Sequence, residues 1–143
     1  MCDCELCADD LGYLIKQISD KMRANADADF RKHGLTFSQV HVLDFMQACG
    51  GSATQKEIEI YLGVSHPTIV GLVSRLEKSG FVTSHIDESN RRNKIVCMTE
   101  KAQQTRKCLA EGRKATEKRL AQALGQSERE QLMHLLSRLY QML

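Results

Sequence analysis

The sequence predicts a mainly α fold of the α+β class, and three observations predict it. Most of its apolar residues recur at helical spacing, in separate stretches from near residue 8 to the end. Three Ser/Thr-x-x-Glu/Gln boxes, Thr36 with Gln39, Thr54 with Glu57 and Ser127 with Glu130, stand where helices should start. Only two runs, 81–86 and 94–98, carry the β-branched composition of strands, and the seven residues DESNRRN between them are of hairpin size.

Taken in order, the first helix is expected over about 8–33. Leu11, Leu14, Ile15, Ile18 and Met22 form its apolar stripe, and Gly34 follows its end. At 1.5 Å per residue it would be almost 40 Å long, more than a small lobe can cover. A second helix follows the Thr36–Gln39 box and carries Val40, Leu43 and Met46. A short third one follows Thr54–Glu57 and carries Ile58, Tyr61 and Leu62. Gly63-Val64-Ser65 then reads as a tight turn, with glycine where positive φ is needed.

In the fourth helix Ser65 is the expected N-cap and Pro67 sits in the first turn, where no backbone donor is missed. Ile69, Leu72, Val73 and Leu76 form one face, and Gly80 ends the helix. The opposite face is short and polar: Pro67, Gly71, Ser74 and Lys78, flanked by Thr68, Val70 and Arg75. Gly71 reads either as a surface glycine or as room for another surface to come close. Behind this helix lie the two strands, with Arg91 and Arg92 near the tip of their connection; a solvated loop is the bland alternative. Thr99 should cap a fifth helix ending near Gly125. Ser127 should start a last one whose Leu132, Leu135, Leu136, Leu139, Met142 and Leu143 are too apolar to stay in water.

Helix, turn, polar-faced helix and basic hairpin together read as a winged helix-turn-helix: the helix enters a major groove and a wing arginine reaches the minor groove. Charge agrees with this. Residues 1–64 carry 6 basic and 10 acidic side chains, 65–107 carry 8 and 4, and 108–143 carry 6 and 4, so the cationic excess falls on the proposed helix and wing. Ser65, His66, Pro67 and Thr68 would approach base edges or nearby phosphates, Arg75 a phosphate, and Asn90, Arg91 and Arg92 of the wing complete the expected DNA contacts. Thr54 and Gln55, at a helix amino end, would also approach phosphates, although simple capping explains Thr54 equally well. Enzymatic classes find no support: the chain lacks a phosphate-binding glycine loop, G-x-S-x-G and H-E-x-x-H, and its five histidines are dispersed.

These residues also carry a family resemblance. Arg75-Leu76-Glu77-Lys78 with Gly80, the run from Asp87 to Arg92, and Met98-Thr99-Glu100-Lys101 resemble, in order, the signature of MarR-type transcriptional regulators. Asn90 departs from it, since the family usually places a second aspartate there to pair with the wing-tip arginine. The resemblance implies one MarR-like domain over 1–143, with a winged-helix lobe over about 36–100 and dimerisation helices over about 8–34 and 100–143. It implies a homodimer on a pseudo-palindromic operator in double-stranded DNA, with half-sites about one helical turn, roughly 34–36 Å, apart. It also implies a cleft for a small aromatic effector, on elements where Tyr13, Gln17, His41 and Phe45 lie, although on the residues alone Phe45 reads first as ordinary core and His41 as a partly exposed helix residue. The expected function is repression relieved by that effector, with no cofactor required.

The cysteines leave alternatives open. Cys49, Cys97 and Cys108 are scattered and read as small buried hydrophobes, whereas Cys2, Cys4 and Cys7 form C-x-C-x-x-C. That triplet reads as a metal site completed from elsewhere, as a thiol sensor in a regulator of the same fold, or as adventitious thiols on a solvated tail. A winged helix that binds protein rather than DNA is the alternative from another class. The acidic start MCDCELCADD lacks a basic, apolar leader, and no apolar run approaches the length of a membrane span, so a cytoplasmic location without membrane contact is expected.

Overall fold

The computed structural model describes residues 10–143, so Cys2, Cys4 and Cys7 lie outside the described residues. Its elements follow the chain as α1 (Leu11–Lys32), α2 (Phe37–Ala48), β1 (Ser52–Thr54), α3 (Gln55–Leu62), α4 (His66–Lys78), β2 (Val82–Ile86), β3 (Lys94–Met98), α5 (Glu100–Ala123) and α6 (Gln126–Met142). They fall into two compact units that divide within α5, the first reaching Arg106 and the second running over Lys107–Leu143.

In the first unit α1 starts at Leu11, where the Asp10 side chain accepts from the Tyr13 N–H at 3.0 Å. Both capping boxes expected for α2 and α3 form: Thr36 N–H donates to Gln39 Oε1 at 2.8 Å, and Thr54 N–H to Glu57 Oε2 at 2.7 Å. Between these helices lies β1, a strand that the sequence reading lacks. It pairs antiparallel with β3, Ser52 opposite Cys97 and Thr54 opposite Ile95, giving a three-stranded sheet in the order β1-β3-β2. Three residues are too few for an alternation to be read, so only their partner strand reveals them.

The core runs from Leu35 to Ala102. Val42, Leu43 and Met46 of α2, Ile58 of α3, Ile69, Val73 and Leu76 of α4, then Phe81, Val82 and Val96 are essentially solvent-free. Removing such a side chain down to alanine costs about 2–5 kcal/mol, so this cluster fixes how α4 is presented. Two signature segments hold the ends of α4 and the sheet. Glu77 Oε1 accepts from the Ser84 hydroxyl at 2.6 Å and from its N–H at 3.2 Å, tying α4 to β2. Thr99 Oγ1 donates to the carbonyls of Gly80 at 2.7 Å and Phe81 at 3.0 Å, while Lys101 Nζ donates to the Ser79 carbonyl at 2.7 Å and lies 4.6 Å from the Phe81 ring centre. The first part of α5 is anchored by Arg106, whose Nε and terminal nitrogen both donate to Asp44 Oδ1 of α2, at 3.1 and 2.9 Å.

The second unit holds the rest of α5 and all of α6. Here the expected cap is displaced: α6 begins at Gln126, after Gly125, whose N–H donates to Glu128 Oε2 at 2.8 Å, so Ser127 with Glu130 is not the box. The shift by two residues follows from glycine serving as the cap itself and Glu128 being the first carboxylate three positions on. Leu132, Met133, Leu135, Leu136 and Met142 of α6 are exposed, as are Leu11, Leu14, Ile15, Ile18 and Met22 of α1. Among the described residues no helix is long and apolar enough to cross a membrane.

Candidate nucleic-acid interface

Between α3 and α4 the chain turns at Gly63, which sits in the left-handed region at φ 61° and donates its N–H to the carbonyl of Glu59 at 3.0 Å. An L-residue pays for that conformation, and glycine does not. The turn sets α4 with Ile69, Leu72, Val73 and Leu76 inward, leaving Ser65, His66, Pro67, Thr68, Val70, Arg75 and Lys78 exposed. Ser65 holds the N-cap position without a bond to the backbone; its hydroxyl pairs instead with that of Thr68 at 2.8 Å. The two hydroxyls therefore steady each other on the exposed first turn. At Gly71 an added Cβ would meet only the Arg75 side chain, at 3.7 Å, so nothing inside the protein demands glycine.

The wing is closed by backbone and side-chain bonds. Asp87 N–H donates to the Asn93 carbonyl at 3.0 Å, and Asn93 N–H to the Asn90 carbonyl at 2.8 Å. Asp87 Oδ1 accepts from the Ser89 hydroxyl and N–H at 2.7 and 2.9 Å, which holds its carboxyl below the usual aspartate range. Asn90 Oδ1 accepts from the Arg92 N–H at 3.2 Å. The asparagine thus fastens the tip through the backbone, and both Arg91 and Arg92 side chains are exposed without an ion pair among the described residues.

Between these parts lies a concavity of about 330 Å³ lined by Gln55, Lys56 and Glu59 of α3, His66 of α4, and Arg92, Asn93 and Lys94 of the wing base and β3. Lys56, Arg92 and Lys94 give it a cationic wall. Gln55, largely buried at the amino end of α3, borders this space. Glu59 is the one carboxylate of the lining: Oε2 pairs with His66 Nδ1 at 3.0 Å and Oε1 accepts from Lys56 Nζ at 2.9 Å, so its titration is held below the ordinary glutamate range, the His66 bond being the larger cause. Thr54 is fully engaged in its cap, accepting from the Glu57 N–H at 3.2 Å and donating to its carboxylate at 2.8 Å.

Of the sequence-predicted residues, the structure brings Gln55, His66 and Arg92 around one space, with Arg91 next to Arg92 in the chain. The effector-cleft candidates stand on two helices, Tyr13 and Gln17 on α1 and His41 and Phe45 on α2. Tyr13 and Gln17 bond to each other along α1. His41 lies on the Phe37 ring at 4.4 Å between centres, and Phe45 stacks on Tyr61 at 4.3 Å. Phe45 is half-buried rather than core, and its stacking partner Tyr61 is exposed. Cys49 and Cys108 are exposed and Cys97 half-buried, which corrects their reading as buried hydrophobes: Cys49 caps the end of α2 and Cys108 follows the last anchored turn of α5. Sequence reasoning missed Lys56, Glu59, Asn93 and Lys94. Glu59 and His66 lie seven positions apart across the glycine turn, a spacing that no helical wheel pairs.

Comparison with known proteins agrees with this geometry. The family model described as MarR family matches residues 33–93. An uncharacterised HTH-type transcriptional regulator of Bacillus subtilis, YwoH, is 36% identical over 94 residues, 64% of this chain and 67% of its own. A mutant of MepR from Staphylococcus aureus superposes with a TM-score of 0.83 at 25% identity, over 92% of this chain and 97% of that one. A second MepR mutant, solved bound to an oligodeoxyribonucleotide, gives 0.71 at 25% identity, over 92% and 96%. The helix-turn-helix, the three-stranded wing and the shared sequence lead to one assignment: this chain belongs to the MarR family of winged-helix transcriptional regulators.

Proposed function

We propose that the chain is a homodimeric repressor that binds a pseudo-palindromic operator in duplex DNA and is released by a small aromatic effector. The observation that carries this reading is the convergence of the α3 and α4 amino ends with the wing base on one cationic concavity, at a wing whose two arginines are exposed and make no ion pair among the described residues. In it, Ser65, His66, Pro67 and Thr68 meet base edges or neighbouring phosphates in a major groove, Arg75 meets the backbone, and Thr54 and Gln55 meet phosphate at the α3 amino end. Arg91 and Arg92 enter the minor groove from a tip fastened by Asn90. The relative bound to an oligodeoxyribonucleotide supports the same partner.

A second copy covers the exposed apolar faces of α1 and α6, which a soluble monomer rarely leaves open. The effector stacks on the aromatic pairs at α2, His41 with Phe37 and Phe45 with Tyr61 of α3, and favours a dimer whose lobes no longer match two grooves. The test is duplex binding by fluorescence anisotropy, with and without phenolic compounds. Affinity should fall by about 10³ between 50 and 200 mM salt, as for a protein neutralising several phosphates, and a phenolic compound should lower it further. A salt-insensitive complex contradicts the DNA reading; a complex indifferent to every aromatic ligand while Phe45→Ala leaves binding intact contradicts release through α2.

A further inference from the structure

A carboxylate on a surface that meets phosphates repels them, so Glu59 in the cationic concavity requires a reason. Its side chain is 15% exposed, against 68% for His66 and 64% for Lys56, so it forms the inner side of both contacts. Because Nδ1 of His66 is taken by Glu59, Nε2 is the ring nitrogen left to meet a ligand. The charged groups lining the space with the ring are Lys56 and Glu59 of α3 and Arg92 and Lys94 of the wing base and β3; Gln55 and Asn93 are neutral, as are Ser65 and Thr68 on the ring's own turn. Three cations thus stand around the ring, with Glu59 as the one anion of the lining. An arriving phosphate acts on the side of Glu59.

We propose that Glu59 is a positioning residue for DNA binding: it accepts the Nδ1–H of His66 and thereby presents Nε2–H, on a charged ring, to a backbone phosphate seated in the concavity. This rests on the reading of the surface as a DNA interface. No bond is made or broken beyond proton uptake from solvent at Nε2. Glu59 touches no DNA in this arrangement and acts through His66, while Lys56, held by the same carboxylate, adds a second cation on the approach. The device makes binding pH-dependent, stronger where histidine is charged and weaker as pH rises through roughly 5 to 8.

The experiment measures duplex affinity from pH 6 to 8 for wild type, Glu59→Gln, His66→Ala and the double variant, with the His66 ring titration followed by NMR in the DNA-free protein. Glu59→Gln should weaken binding about fivefold at pH 7, the worth of one charge-assisted bond, although it removes a negative charge. The wild-type affinity should decline as pH rises, His66→Ala should flatten that profile, and Glu59→Gln added to His66→Ala should weaken binding no further. In the free protein the His66 titration should move to lower pH in Glu59→Gln. His66→Lys, with a fixed charge, should bind without needing Glu59. If Glu59→Gln binds as tightly as wild type or tighter with the same pH profile, or if the two substitutions weaken binding additively, the proposal is overturned while the DNA reading stands. A wild type that binds no duplex overturns both.

Discussion

Gly71 shows how one position separates stability from recognition. Its half-exposed place in the middle of α4 has ordinary room for a methyl group, the nearest atom being 3.7 Å away on Arg75. Gly71→Ala should therefore raise stability by about 0.5–1 kcal/mol, the helix-propensity difference, readable as a shift of the urea midpoint. If α4 lies against a groove at this point, the same substitution should weaken duplex binding about tenfold; unchanged affinity would leave Gly71 a mere surface glycine. Glu77 offers a second test. The Ser84 hydroxyl bond is the main cause that holds its carboxyl below the ordinary value of 4.5. Because the folded-state value is depressed, the stabilisation is fully present above the ordinary value and is lost as pH falls from there through the depressed one. Glu77→Gln should be less stable than wild type at pH 7, with the difference shrinking below pH 4.5. A constant difference would show that charge plays no part. The residues of the signature were legible in the sequence as a pattern, but not their tasks: Glu77, Thr99 and Lys101 all bond across gaps of 7 to 22 residues, which only the folded sheet closes.

At the scale of elements, local rules located most of the fold. The two boxes at Thr36 and Thr54 form because each needs only four consecutive residues, and the bounds of β3 agree with the run of residues that announces it. Where two local choices competed, the reading failed: Gly125 with Glu128 took the start of α6 from Ser127 with Glu130, and β1 is fixed by its pairing with β3 rather than by its own three residues. The wing belongs to the first kind. Asp87 and Asn90 spend their oxygens on the turn itself, leaving the guanidinium groups of Arg91 and Arg92 to an outside partner. Replacing both arginines by alanine should weaken duplex binding and make the plot of log affinity against log salt shallower by about one to two, since each neutralised phosphate contributes about 0.9. Thermal stability should not change, because no fold contact is lost. Unaltered affinity and slope would remove the wing from the interface.

For the whole molecule, the charge segregation seen in the sequence has a structural counterpart: the segment 65–107, with its excess of cations, supplies α4 and the wing, and α1 and α6 expose apolar rows instead. Those rows were legible from helical spacing, and the sequence reading assigns a second copy to cover them, because a partner surface leaves its mark on a sequence as hydrophobicity without a core to fill. The central claim is that two copies present two α4 helices to one duplex. It is tested most directly by selecting bound duplexes from a random pool with the full chain and measuring the mass of the resulting complex. The expected result is an inverted repeat with half-site centres about one helical turn apart, bound by two chains. Enrichment of a single unrepeated site held by one chain would contradict it.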